Sequence, residues 1–172
     1  MNPYDQHLDR NAANYVALSP VSFVERTAEV FGDMPATVHG ARRYNWAQVR
    51  ERSARLAAAL RALGVGKGDA VSTMLPNTPE MAEAHYAVPA LGAVINTLNT
   101  RLDAPLLAWQ MNHCEAKVLI TDREFAPVMA QADVSMAMGS GAWLAQANAD
   151  ILLMNSRLKQ IPQVFAVGAH MQ

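Results

Sequence analysis

An α/β fold, with a layered, largely parallel sheet flanked by helices, is what this sequence predicts, and three observations carry the prediction. β-prone runs alternate with longer segments of helical period between residues 46 and 131, the order that builds βαβ crossovers. The runs AVSTML (residues 70–75) and KVLIT (117–121) are apolar over most of their length, as strands covered on both faces tend to be. Finally, the helical segments are punctuated at the right ends: Ser19-Pro20, Asn45, Thr78-Pro79 and Asp103 stand at starts, Gly32 and Gly64 at stops.

Taken in order, residues 1–14 are polar without a sustained period and are expected to lie as an arm on the surface. Ser19 then offers an oxygen to the free N–H groups of a first helix, and Pro20 suits its first position. Val21, Phe23, Val24, Ala28 and Phe31 give that helix an apolar side, and Gly32 ends it. Residues 36–39 and 43–44 flank Gly40-Ala41, a pattern that predicts a β-hairpin. From an Asn45 cap, Trp46, Val49, Ser53, Leu56, Leu60 and Leu63 recur three or four apart and share one helix face. Glu51 and Arg55 form a favourable i, i+4 pair on the outside.

Gly64, Gly66 and Gly68 follow that helix and precede a strand. A dinucleotide-binding loop has the opposite order, strand first and helix after, so these glycines are read as a cap and a turn. After the strand at 70–75, Thr78 caps a helix with Pro79 first and Glu80 near its positive end. Met81, Ala84, His85, Val88 and Leu91 fall on one face. A strand is expected at 93–97. Asp103 caps a further helix in which Leu107, Met111 and Cys114 share a side, residues 117–121 form another strand, and Glu124 begins a short helix.

Composition sets limits on function. The chain has 172 residues, 51% of them hydrophobic and 17% charged, enough for one sizeable core or two small ones. A net charge of −1 gives no electrostatic footprint for nucleic acid or an anionic membrane surface. Arg50, Arg52, Arg55 and Arg61 are interspersed with Glu51 along one helix and read as a solvated face. No run approaches the roughly 18 apolar residues of a spanning helix, and MNPYDQHLDR lacks a signal pattern. With Cys114 the single cysteine, no intrachain disulfide forms, in keeping with a cytoplasmic chain.

Chemistry-bearing clusters are not evident. His7, His39, His85, His113 and His170 are far apart, and no close pair of zinc-motif type exists. Cys114 falls near a helix C-terminus on an apolar side, where thiolate is disfavoured, so packing is its expected role. Ser19 and Ser140 lack the strand-to-helix elbow that exposes a nucleophile. The Gly139-Ser140-Gly141 turn invites a phosphate-cradle reading, but small turns between strand and helix are common. No residue is assigned a catalytic, cofactor-binding or metal-binding role.

Two resemblances organise the chain. Tyr44-Asn45-Trp46-Ala47-Gln48-Val49 resembles an early box of the adenylate-forming acyl-CoA synthetases, with Asn45 where Thr is usual and Gln48 where Glu is usual. LPNTPEM (residues 75–81), LGAVINTLNTRL (91–102) and AKVLITD (116–122) follow in the same family's order, so the likeness covers about residues 18–132. It implies an incomplete N-terminal subdomain of an adenylate-forming enzyme, whose parent reaction converts a fatty acid, ATP and CoA, with Mg, to acyl-CoA, AMP and pyrophosphate. The family's phosphate loop ending in P-K-G, its nucleotide site and its C-terminal lysine are not found. From residue 126 on, APVMAQADVSMAMGSGAWLAQANADILLMN resembles the end of a heavy-metal P-type ATPase phosphorylation domain.

The word APVMAQA, residues 126–132, is therefore read as a seam between residues 1–125 and residues 133–172. Before Ala126-Pro127 the ATPase family carries G-D-G-x-N-D, whereas this chain has Thr121-Asp122-Arg123-Glu124-Phe125, so the likeness implies no transport. Beyond the seam, 134–138 and 151–154 are strand-like, 142–148 can form a helix, and Ser156 can cap another ending near Pro162. The strands at 134–138 and 151–154 are expected to enter one common sheet by a right-handed crossover. Three functional classes follow: a truncated, fused synthetase that is inactive alone; a noncatalytic interaction scaffold; or a product of recombination or faulty joining without function.

Overall fold

The computed structural model describes residues 6–7, 9–132 and 152–153. Helix α1 spans Pro20–Phe31, with the backbone N–H of Val21 donating to Ser19 Oγ at 3.3 Å as the cap pattern predicts. Its buried residues are Val24 and Ala28, whereas Phe23 and Phe31 are more than half exposed, so the predicted apolar side is only partly covered. Strands β1 (Pro35–His39) and β2 (Arg42–Asn45) form the expected antiparallel hairpin, a small sheet of its own. Gly40 turns it at φ +58°, a left-handed conformation that L side chains rarely adopt.

Helix α2, Trp46–Ala62, opens with a complete capping box. The N–H of Gln48 donates to Asn45 Oδ1 at 2.8 Å, and the N–H of Asn45 donates to Gln48 Oε1 at 2.9 Å. It closes on Gly64 at φ +82°, with the N–H of Val65 reaching back to Leu60 O at 3.0 Å. Those are the bonds of a Schellman end, so the first of the three glycines is a cap. Asp69 accepts from the N–H of Gly66 at 2.7 Å and Lys117 Nζ bonds both Asp69 (2.9 Å) and Gly64 O (2.5 Å), which pins the turn to the neighbouring strand.

The main sheet is built from β3 (Ala70–Met74), β4 (Val94–Thr97), β5 (Ala116–Thr121) and β6 (Leu152–Leu153) in the order β4-β3-β5-β6. Strands β4 and β5 both pair in parallel with β3, as expected. Helix α3 (Pro79–Ala90) connects β3 to β4, and α4 (Ala104–His113) connects β4 to β5. After β5 come a 3-10 turn, Arg123–Phe125, and α5, Ala126–Gln131.

Side chains alternate through this sheet into two apolar layers. Val71, Val118 and Ile120 meet Leu56, Leu60, Ala84 and Val88 from α2 and α3 on one face. Met74 and Leu119 meet Leu107, Met111 and Met129 from α4 and α5 on the other. Helices on both faces of a parallel sheet satisfy every apolar side of β3, whose Val71 to Met74 are all buried. Strand β4 lies at the edge of the described sheet and is half open, with Val94 more than half exposed, unlike β3 and β5.

Of residues 133–172, only Leu152–Leu153 is described. It pairs antiparallel with β5, Ile120 opposite Leu153 and Thr121 opposite Leu152. Leu152–Leu153 thus enters the main sheet as expected of 151–154, but its antiparallel direction corrects the right-handed crossover expected there, which requires a parallel pairing. The predictions for residues 134–138, 139–141, 142–148 and 156–162, and the single-body packing of 133–172, lie outside the described residues.

Candidate functional site

Two places in this fold gather polar groups. The first is set by topology: β3 leads to α3 on one face of the sheet and β5 leads to α5 on the other. Open parallel sheets hold ligands where adjacent strands send their connections to opposite faces. That point lies between the loops at residues 75–78 and 122–125. The loops are tied to each other, since the N–H of Asp122 and the hydroxyl of Thr121 both donate to Met74 O, at 3.2 and 3.1 Å. Asp122 Oδ1 in turn accepts from the N–H of Glu124 at 3.1 Å.

The second place is a cluster of four charges between the hairpin, α2 and α3. Arg42 of β2 donates to Glu80 from both terminal nitrogens, at 2.7 and 3.4 Å. Arg52 of α2 donates to Glu83 from Nε and Nη2, at 2.5 and 3.1 Å, and comes within 3.5 Å of Glu80. Its guanidinium lies 4.4 Å from the centre of the Tyr44 ring. The two carboxylates are buried, with side chains only 6% and 7% exposed.

Their titration differs although they stand one helical turn apart. Burial pushes the Glu83 carboxyl up, and this outweighs the pull of Arg52. Burial also opposes ionisation of Glu80, but its own backbone N–H, Arg42 and Thr78 outweigh it and hold Glu80 below the usual carboxylate range. The difference is positional: Glu80 sits at the second residue of α3, beside free N–H groups, and Glu83 does not.

Sequence reasoning missed this cluster. It placed Arg52 on a solvated face, yet the Arg52 side chain is 15% exposed. The signal was present: Arg52 lies three residues after Val49 and four before Leu56, at the margin of the apolar face, and Glu80 and Glu83 share a side of α3. His85, expected on the buried face of α3, is exposed and its Nδ1 bonds Met81 O at 2.8 Å.

The remaining candidates take structural places. Cys114 caps the end of α4, half-buried, where Asn96 Nδ2 donates to its sulfur at 3.2 Å and to Ser72 Oγ at 3.0 Å. His113 stacks on Trp109 with ring centres 4.9 Å apart, and His39 Nδ1 stands 3.2 Å from Arg42. Ser140 and His170 lie outside the described residues. Among the described residues no three His, Cys, Asp or Glu side chains are grouped as a metal site, and no helix is long and apolar enough to cross a membrane.

This doubly wound α/β fragment defines the class: it is the fold of the N-terminal subdomain of adenylate-forming enzymes. The N-terminal domain of the Mycobacterium tuberculosis protein FACL13 superposes with a TM-score of 0.63 at 33% identity, over 64% of this chain and 28% of that one. A family model described as AMP-binding enzyme matches residues 24–157, and the chain belongs to that family. A peroxisomal butyrate–CoA ligase of Arabidopsis thaliana is 43% identical over 117 residues, and a peroxisomal benzoate–CoA ligase of the same plant is 44% identical over 113. These cover 68% and 66% of this chain but 20% of each relative, so the chain spans a fifth of their length. The family match runs through residues 126–132 and on into the stretch likened above to a P-type ATPase, and these comparisons lend that likeness no support.

Proposed function

We propose that this chain is the leading part of the first subdomain of an acyl-activating ligase and that its residues build scaffold, not reacting groups. In the parent reaction a carboxylate oxygen attacks the α-phosphorus of ATP, pyrophosphate leaves, and the thiol of CoA then displaces AMP from the acyl carbon. That chemistry depends on positioned donors and cations around the phosphates. The observation that carries the reading is the state of the buried charges: Glu80, Glu83 and Arg52 are saturated by one another and by Arg42, with side chains turned into helix packing. A fatty acid or other small carboxylate is the parent substrate class, in line with the butyrate and benzoate ligases among its relatives. The reading carries a cytoplasmic setting, in contrast to those peroxisomal relatives.

Carboxylate-dependent pyrophosphate release tests it, with short to long fatty acids and benzoate, ATP and Mg. Release equal to the protein-free control is expected. Release above it overturns the scaffold reading.

We also propose, from the residues AMGSG and ILLMN after APVMAQA, that residues 126–172 were joined from a P-type ATPase gene. Amplification across codons 126–132 from independent source material is the check. Loss of the junction in that DNA would refute a biological fusion.

A further inference from the structure

No residue of the β1–β2 hairpin is buried, and neither apolar layer of the molecule includes one. Its partly covered residues are Ala36, Thr37, Arg42, Tyr44 and Asn45, of which Arg42 and Tyr44 reach the four-charge cluster. The hairpin forms a separate two-stranded sheet, and two strands alone are marginal in water. At its base, backbone bonds from Trp46 N to Met34 O and from Ala47 N to Gly32 O hold the chain ends to the α1–α2 junction. We propose that the hairpin is an electrostatically latched unit: the Arg42–Glu80 pair, braced by Arg52 and Glu83, holds it down, and neutralising that pair releases it while the parallel sheet stays folded.

The inference is independent of the enzyme reading above, because it rests only on how this stretch is packed. Around Glu80 stand Arg42 from β2, His39 from β1 beyond Arg42, Arg52 from α2 with Tyr44 of β2 against its guanidinium, Thr78 at the cap of α3, and Glu83 one turn on. Every backbone tie at the hairpin base survives the loss of Arg42 or Glu80, so those ties act as a hinge. Release by local opening leaves β3 and β5 untouched, since their packing layers contain no hairpin side chain.

Hydrogen exchange followed by mass spectrometry on the whole chain distinguishes a latch from ordinary packing. In Glu80→Gln, amides of residues 36–45 are expected to exchange at least about tenfold faster, with β3 and β5 amides at wild-type rates. Arg42→Gln, a change on the half-exposed side of the pair, is expected to do the same and decides the matter if Glu80→Gln does not fold. Glu51→Gln, which breaks an exposed pair on α2, leaves the hairpin rates unchanged. Wild-type hairpin protection in the folded variants, or loss of β3 and β5 protection in step with it, overturns the latch.

Discussion

The sheet body and the hairpin are joined in one chain but are held by different physics. In the body, β3 and β5 send alternate side chains into two apolar layers, and Leu60, Met74, Leu107, Leu119 and Ile120 are wholly buried. The hairpin buries nothing and is tied to α3 through the pair of Arg42 with Glu80. Apolar burial is insensitive to pH and scales with area, whereas a buried ion pair holds only while both partners keep their charge. The body is therefore the part built to persist, and the hairpin the part that a change of charge can move.

Deleting apolar volume from the body gives the largest expected effect. Leu107→Ala or Leu119→Ala is expected to lower stability by about 3 kcal/mol, read by urea unfolding, because each leaves a cavity between sheet and helix. Val38→Ala in the hairpin, at an exposed site, is expected to change it by less than about 0.5 kcal/mol. Equal losses at the two positions would erase the contrast.

Next comes the buried bridge. Arg52→Ala strands Glu83 without a partner and is expected to cost about 3 kcal/mol. The double change Arg52→Met with Glu83→Leu is expected to recover most of that loss in the same unfolding assay, since two apolar side chains need no charge compensation.

The two carboxylates also set opposed pH dependences. Glu80 is held below its unfolded range, so its stabilisation is present at neutral pH and is lost as pH falls through its folded pKa. Glu83 is held above, so its contribution is present in acid and is lost as pH rises through its folded pKa. Stability measured against pH is expected to fall less steeply in acid in Glu80→Gln and to lose less as pH rises in Glu83→Gln. Identical profiles for the two variants would contradict the assignment.

The smallest effects lie at helix ends. Asn45→Ala removes the capping box and is expected to cost about 1 kcal/mol. Glu115, at φ +52°, follows the end of α4 in a conformation suited to glycine, so Glu115→Gly is expected to stabilise by up to about 1 kcal/mol in thermal unfolding.

Most of the body was legible in the residues. The caps at Ser19, Asn45 and Asp103, the stop at Gly64 and the apolar strands all follow from local rules whose causes lie within a few positions. What stayed hidden needed long-range pairing. Arg42 lies thirty-eight residues from Glu80, and the spacing of Arg52 from Val49 and Leu56 places it at the margin of the apolar face without naming the carboxylates it meets. The edge position of β4 was equally hidden, because strand order is a property of the assembled sheet. The half-covered face of α1 shows the same limit: periodicity marked Phe23 and Phe31 as apolar, while burial depends on what packs there.

As proposed above, this stretch supplies an apolar scaffold with an electrostatic latch and does not itself hold the nucleotide. Calorimetric titration of the folded 172-residue chain with ATP and Mg tests it most directly. Heats no larger than those of dilution are expected; a saturable one-to-one isotherm would overturn the scaffold reading.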